Sequence, residues 1–377
     1  MRPLSLGDIF NTEPRYKRTN KRNKISNDIF QKESIIGFKT DSLIKTVIFD
    51  EPRYKRLEKR QISHNPYKIL DAPGIINDYY LNVLDWSEKD IISIGLSSDL
   101  YIYDVKKKSV TNLHSLEEGK YFSSVKSNGN TLSSGTSSGE IILFDILAGK
   151  EITRIKNHNN RIAISDWNEN ILTTGSRDGK IINFDIRDNK IINKWEKHSQ
   201  EICGLKWSNN KKYLASGSND NMLYIWQIGC NSPRYNLNEH SSAVKALDWC
   251  PWKTDILASG GGSNDKTVRF WDISTGKCEK KISVNSQVCG LHFINKFKEI
   301  VTTHGFSENN ICLWKESNLK KVASFGKHDD RVLYSALSPD QSTLISLSAD
   351  ENLKFWKLFD NKNETETIET SEWQHMR

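Results

Sequence analysis

No run of about 18 apolar residues occurs in the 377-residue chain, so the sequence offers no membrane-spanning helix. The opening stretch, MRPLSLGDIFNTEPRYKRTNKR, has no apolar segment and mixes acids with bases, which argues against a secretory signal or an amphipathic transit peptide. Cysteine is sparse: six residues, at 203, 230, 250, 278, 289 and 312, with no pair at CxxC spacing. Neither a zinc knuckle nor a dense disulfide scaffold is expected, and the cysteines read as small buried apolar groups in a reducing compartment. Catalytic signatures are also scarce, with no Walker motif and no HExxH. The expectation is an interaction module and not an enzyme, with no metal and no other cofactor.

The formal net charge of +7 is unevenly placed. Residues 1–68 hold 16 Lys and Arg against 8 Asp and Glu, whereas the remainder holds 38 against 39. A body of near-zero charge is a poor phosphate platform, so direct nucleic-acid binding is not expected of it.

A repeat organises the body. Aromatic-polar pairs close short apolar runs at Tyr103-Asp104, Phe144-Asp145, Phe184-Asp185, Trp226-Gln227, Trp271-Asp272, Trp314-Lys315 and Trp356-Lys357, with successive steps of 41, 40, 42, 45, 43 and 42 residues. Before most of them comes a strand broken by Gly and then a polar turn, as in LTTG-SRDGK and LASG-SNDN. Earlier still comes a strand ending on an aromatic, as in LDW, ISDW and LKW. Three such strands and a weaker fourth make the four-stranded antiparallel sheet of one propeller blade, and seven units predict an all-β, seven-bladed propeller.

Four units pair an early His with a turn Asp: His158 with Asp178, His198 with Asp220, His240 with Asp265 and His328 with Asp350. Each pair stays inside its own unit, which favours a structural over a catalytic role. The pattern resembles a WD-repeat blade, where imidazole, carboxylate, a hydroxyl and the closing Trp form one network that satisfies buried polar groups. In unit six Asn285 stands at the His position and Glu308 or Asn309 at the Asp position, so that blade is expected to lack the network.

After Trp356 the polar tail NKNETETIETSEWQHMR makes a poor outer strand, and the seventh blade needs one from elsewhere. Tyr67 to Leu70, just ahead of the first blade, supplies it and closes the ring. The expected organisation is a basic leader over 1–63, disordered except where it meets a partner, a propeller over 64–359, and a flexible tail over 360–377. The leader repeats EPRYKR at Glu13–Arg18 and Glu51–Arg56.

NPYKILDAPGIINDYYLNVLDWS (65–87), LASGGGSNDKTVRFWD (257–272), WCPW (249–252), THGF (303–306) and RVLY (331–334) together resemble the Fizzy and Fizzy-related activators of the anaphase-promoting complex, or cyclosome. The likeness covers about 64–359. GLKWS, THGF and RVLY lean toward the Fizzy-related branch and WCPW toward Fizzy, which leaves the branch open. The resemblance implies a substrate receptor and stimulator of a RING-type ubiquitin ligase, found in nucleus and cytoplasm. It would bind destruction-box and Lys-Glu-Asn degrons of cell-cycle proteins such as cyclins and securin. It would also bind ligase subunits, including tetratricopeptide-repeat subunits. Spindle-checkpoint proteins are a further partner class, although the leader shows no checkpoint-binding motif.

Carried over residue by residue, the destruction-box site implied by the resemblance holds Leu84, Asp85 and Glu351, with a carboxylate for the degron Arg. The Lys-Glu-Asn site holds Asn219, Asn221, Ser263, Gln287 and Arg331. Ligase docking falls to Arg15-Tyr16 and to the terminal Met376-Arg377. A generic WD-repeat scaffold in another nuclear complex is the alternative. An enzyme would need a charge cluster at one channel mouth beyond what the blade networks use.

Overall fold

The computed structural model describes residues 62–360. The leader and tail positions Arg15, Tyr16, Met376 and Arg377 therefore lie outside the described residues. Within them, 28 strands form seven four-stranded antiparallel sheets. Blades one to six are consecutive in the chain, at 84–115, 122–156, 162–195, 202–237, 244–283 and 288–325. Blade seven combines residues 332–357 with the strand Lys68–Asp71. In every blade the first strand packs against the first strands of its neighbours and lines the central axis.

The closing strand runs antiparallel to Asn352–Lys357, with Lys68 opposite Phe355 and Asp71 opposite Asn352. The Tyr67 amide adds a bond to the Phe355 carbonyl at 3.0 Å. The two ends of the propeller sequence thus meet in one ladder, as the sequence predicts, and the pairing reaches one residue further, to Asp71. Leu70 turns inward against a cluster holding Leu84, Tyr103, Leu353 and Phe355.

The repeated Ser-Gly has a packing cause. A Cβ on Gly217 would lie 2.2 Å from the Val244 carbonyl oxygen, and one on Gly260 would lie 2.4 Å from Val288 Cγ1. In each case the obstacle is the first strand of the next blade, so glycine here sets how closely blades approach.

Each His-Asp pair assembles inside one blade. His328 Nδ1 meets Asp350 at 2.9 Å, its Nε2 meets Ser346 Oγ at 2.7 Å, and the Trp356 indole donates to the same hydroxyl at 2.8 Å. Blade four repeats this with His198, Asp220, Ser216 and Trp226, and blade five with His240, Asp265, Ser259 and Trp271. Blade three has His158, Asp178 and Thr174 but closes on Phe184, so its network has no indole.

Blade six departs from the expectation that it lacks a network. His304, at the end of its second strand, places Nε2 2.8 Å from Thr302 Oγ1, which also accepts the Trp314 indole at 2.8 Å. Residues two apart on a strand share a face, so the strand itself delivers an imidazole that the other blades bring in on a loop. Among the described residues no carboxylate pairs with His304.

Two expected outcomes follow from this architecture. Deleting the chain through Leu70 removes a ladder and its apolar cover, and thermal and denaturant unfolding should show a loss of about 3–5 kcal/mol. An unchanged melting curve would contradict the closure.

The second outcome is acid sensitivity. Burial pushes His240 and His328 below the ordinary imidazole range against the opposing pull of Asp265 and Asp350, and it pushes His304 down to about 3. A histidine with a depressed folded pKa binds fewer protons folded than unfolded. Its contribution is complete above an unfolded pKa of about 6.5 and is lost as pH falls toward the folded value, at up to about 1.4 kcal/mol per pH unit for each group. Melting temperature should drop steadily between about pH 6.5 and 4.5. His304→Asn should flatten that slope, and a slope equal to wild type would exclude His304 as a contributor.

Candidate functional site

The loops ahead of each first strand and the turns between second and third strands gather at one end of the propeller. A short segment, Asn77 to Tyr80, lies among them and is tied to four blades. Arg331 of blade seven donates from Nε to Asn77 Oδ1 at 2.5 Å and from Nη2 to the Asn77 carbonyl at 2.8 Å. Arg161 of blade three grips Asp78 at 2.6 Å and Glu201 through two bonds of 2.7 Å. Burial alone would lower the Arg161 pKa, but the hydrogen bonds it donates to Glu201 outweigh it and hold the guanidinium firmly charged. Tyr79 donates to the Val288 carbonyl of blade six at 2.9 Å, and Tyr80 donates to Asn219 Oδ1 of blade four at 2.8 Å.

Beneath this segment Lys245 is buried. Its ammonium donates to the Leu333 carbonyl at 3.0 Å and lies 4.4 Å from the Tyr334 ring centroid and 5.2 Å from that of Tyr79. Burial pulls its pKa down to about 8. The end of the channel is thus floored by aromatic rings and a cation.

Around the segment stand the residues assigned to Lys-Glu-Asn binding. Asn219 and Asn221 occupy the second turn of blade four, Ser263 that of blade five, Gln287 the loop into blade six and Arg331 the loop into blade seven. Ser263 is exposed, while Gln287 is only 7% exposed. Asn221 sits at φ 67°, a left-handed conformation that Asn tolerates. The Asn219 amide is already engaged, donating to Gln200 Oε1 at 2.6 Å while accepting from Tyr80. Arg331 divides its guanidinium between Asn77 and the exposed ring of Phe306, 5.4 Å away. Five side chains from four blades thus converge on one rim, with Tyr80 and Asn77 as additions that spacing alone did not single out.

The side site needs a correction. Asp85 does not stand beside Glu351: it lies on the first strand of blade one, is 5% exposed, and faces blade two. There it forms an ion pair with Lys126 at 2.6 Å and accepts the Ser127 amide at 2.9 Å. Burial raises its pKa, but Lys126 and the Ser127 bonds carry it below the ordinary carboxylate value. Leu84 is likewise core, packed in the cluster below the closing strand. Only Glu351 is exposed, at the second turn of blade seven, where its carboxylate accepts the Gly74 amide at 3.0 Å and its carbonyl accepts the Ala72 amide at 2.7 Å.

The carboxylate that the fold does bring to Glu351 is Asp71, exposed at the end of the closing strand and opposite Asn352 in register. Strand alternation puts Asp71 on one face with Ile69 and Tyr67, which are 50% and 58% exposed. Lys68 and Leu70 point the other way, Lys68 onto the Tyr103 ring at 4.1 Å. The result is a strip of two exposed apolar side chains ending at two carboxylates. The sequence signal was the KILDAP string itself, whose Asp becomes informative once the strand is known to be the borrowed one.

Asp85 belongs to a ring around the channel. One residue before Trp86, Ser127, Trp167, Trp207, Trp249, Phe293 and Leu337 near the ends of the first strands stand, in blade order, Asp85, Lys126, Asp166, Lys206, Asp248, His292 and Ala336. Each carboxylate crosses to the next blade and accepts a backbone amide: Asp85 from Ser127, Asp166 from Trp207 at 2.7 Å, Asp248 from Phe293 at 2.9 Å. At the alternate junctions the Trp167 indole donates to the Lys126 carbonyl at 3.1 Å and the Trp249 indole to the Lys206 carbonyl at 3.0 Å. His292 bonds Ser335 of blade seven at 2.8 Å. These charged side chains join neighbouring blades.

Among the described residues no three His, Cys, Asp or Glu side chains group as a metal site. All six cysteines are unpaired, four of them buried.

Asp85→Ala should destabilise the fold by about 2 kcal/mol or more, since it leaves Lys126 and the Ser127 amide without their acceptor. Asp71→Ala at the exposed strip should stay within about 0.5 kcal/mol of wild type. Denaturant titrations of both variants check the reassignment, and equal stabilities would overturn it.

Comparison with known proteins places these features in context. Residues 70–356 match the family model described as the CDC20/Fizzy WD40 domain. The chain is 36% identical over 315 residues to the anaphase-promoting complex subunit cdc20 of Dictyostelium discoideum, covering 82% of this chain and 63% of that one. It is 40% identical over 321 residues to meiotic fizzy-related protein 1 of Schizosaccharomyces pombe, covering 84% and 76%. A chain in a crystal structure of the mitotic checkpoint complex superposes with a TM-score of 0.79 at 38% identity, covering 87% of this chain and 99% of that one. The chain therefore spans a little under two thirds of the length of the Dictyostelium relative.

Proposed function

The chain belongs to the CDC20/Fizzy WD40 family, and from that premise we propose that it is a substrate-receiving and activating subunit of the anaphase-promoting complex. In this reading it is a binder and not a catalyst. It captures destruction-box and Lys-Glu-Asn degrons of cell-cycle proteins, such as cyclins and securin, and presents them to the ligase in nucleus and cytoplasm. Arg15-Tyr16 and Met376-Arg377 are the proposed ligase contacts, and checkpoint proteins are proposed partners by analogy with the complex whose chain it resembles.

The observation that carries the degron assignment is the strip on the closing strand. An Arg-x-x-Leu peptide laid along it would set its guanidinium against Asp71 and Glu351 and its Leu against Ile69 or Tyr67. Charge-assisted pairs of this kind are the strong ones, and their geometry favours Arg over Lys. At the rim, Asn219, Ser263 and Gln287 offer amides and a hydroxyl to an Asn side chain, and Arg331 offers a cation to a Glu.

Asp71→Ala or Glu351→Ala should weaken an Arg-x-x-Leu peptide by about 1–3 kcal/mol while leaving a Lys-Glu-Asn peptide nearly unchanged. Arg331→Ala should do the reverse. Calorimetric titration at one fixed salt concentration reads both, because exposed pairs are screened. Binding of neither peptide by the wild type would favour a generic WD-repeat scaffold instead, and equal losses in all three variants would remove the two-site reading.

A further inference from the structure

The end of the propeller opposite the rim carries the turns between first and second strands. At blades five and six these turns build a patch of interleaved cations and rings. Lys298 lies 4.5 Å from the Trp252 ring centroid, and Trp252 in turn meets Phe293 edge-on at 5.4 Å. Lys296 lies 5.0 Å from the Phe359 ring and 5.9 Å from that of Phe297, while Phe297 and Phe359 pack at 5.1 Å. Next to them Lys253 and Lys280 share one carboxylate, Glu316, at 3.0 and 3.4 Å. Among the described residues neither Lys296 nor Lys298 has a carboxylate within ion-pair distance, and both are exposed.

Phe359 is the link to an occupant. It belongs to the patch and stands one residue before Asp360, from which the chain continues as NKNETETIETSEWQHMR. Residues 361–372 carry Glu364, Glu366, Glu369 and Glu372 against the single cation Lys362. Four residues of extended chain span at most about 14 Å, so Glu364 reaches Lys296 from Asp360 without long loop closure. A short tether also gives the weak contacts that follow a high effective concentration.

We propose that the acidic stretch Glu364 to Glu372 of this chain docks on its own propeller, across Lys296 and Lys298 at the turns of blades five and six. The terminal Met376-Arg377 is then held at the face opposite the rim, and it is presented from a fixed place. This inference concerns where the tail lies and stands whether or not the terminus contacts a ligase.

The test compares the full chain with a chain ending at Asp360, which retains every described strand. Amide hydrogen exchange across 295–298 should be about fivefold slower in the full chain, as expected of two or three exposed pairs acting together, and the difference should vanish in about 0.5 M salt. Lys296→Glu with Lys298→Glu should abolish it, as should lysine at all four tail glutamates, and combining the two sets should restore it. Carbodiimide coupling in an equal mixture of ¹⁴N and ¹⁵N chains should join Lys296 or Lys298 to tail glutamates of the same isotope. Exchange identical in both chains overturns the proposal. Coupling that joins unlike isotopes as often as like ones assigns the patch to a second copy and also overturns it. Protection by an added acidic peptide but not by the tail does the same, assigning the patch to a partner.

Discussion

The antiparallel ladder between Lys68–Asp71 and Asn352–Lys357 is the contact on which the other features depend. Blades one to six each complete their four strands from consecutive sequence, whereas blade seven cannot. An unpaired edge there would expose backbone donors and acceptors and leave the cylinder open. Pairing residues nearly 300 positions apart carries a large loop-closure entropy, and the ladder is matched to it by inward packing of Leu70 and the Tyr67 to Phe355 bond. The same pairing fixes Asp71 beside Glu351 and delivers the chain to the channel mouth, where Asn77 to Tyr80 fasten four blades. Closure and candidate binding surfaces are one arrangement of one segment.

The architecture was legible because a blade is a local object. Its period, its glycine-broken second strand and its His-Asp pair all lie within about forty residues, and the period recurs seven times and the pair four. Even the borrowed strand could be read, from the poverty of the tail after Trp356. The side chains of the binding surfaces were less legible because their positions depend on which strand faces which neighbour. Asp85 and Asp71 both lie near the start of the propeller in sequence, yet one faces the channel and the other solvent. Only the register against Asn352 separates them. His304 was hidden for a related reason: it reaches the Thr302 hydroxyl from within the strand, so a search for a loop histidine passes over it. The leader and tail contacts fall outside what the fold describes.

The charged groups around the channel are tied to neighbouring blades. Asp85, Asp166 and Asp248 each hold an amide of the neighbouring blade, and the lysines between them contribute carbonyls to neighbouring indoles. Burial leaves His292 neutral by pushing it down to about 3. The polar lining works as joinery between sheets that otherwise meet through apolar packing.

That joinery has a parity. Alternating two kinds of junction around seven positions cannot close on itself, since an odd cycle admits no perfect two-colouring. The mismatch falls on blade seven, where Ala336 replaces the charged residue and the indole of Trp86 on blade one finds no acceptor among the described residues. The seam between blades seven and one is thus the defect line of the ring, and it adjoins the ladder that zips the two ends of the propeller together. A force or a chaperone that opens this propeller meets there a clasp of backbone ladder backed by apolar and aromatic packing, with Trp86 and Tyr103 edge-on to Phe355, in place of the charged joinery found at other seams.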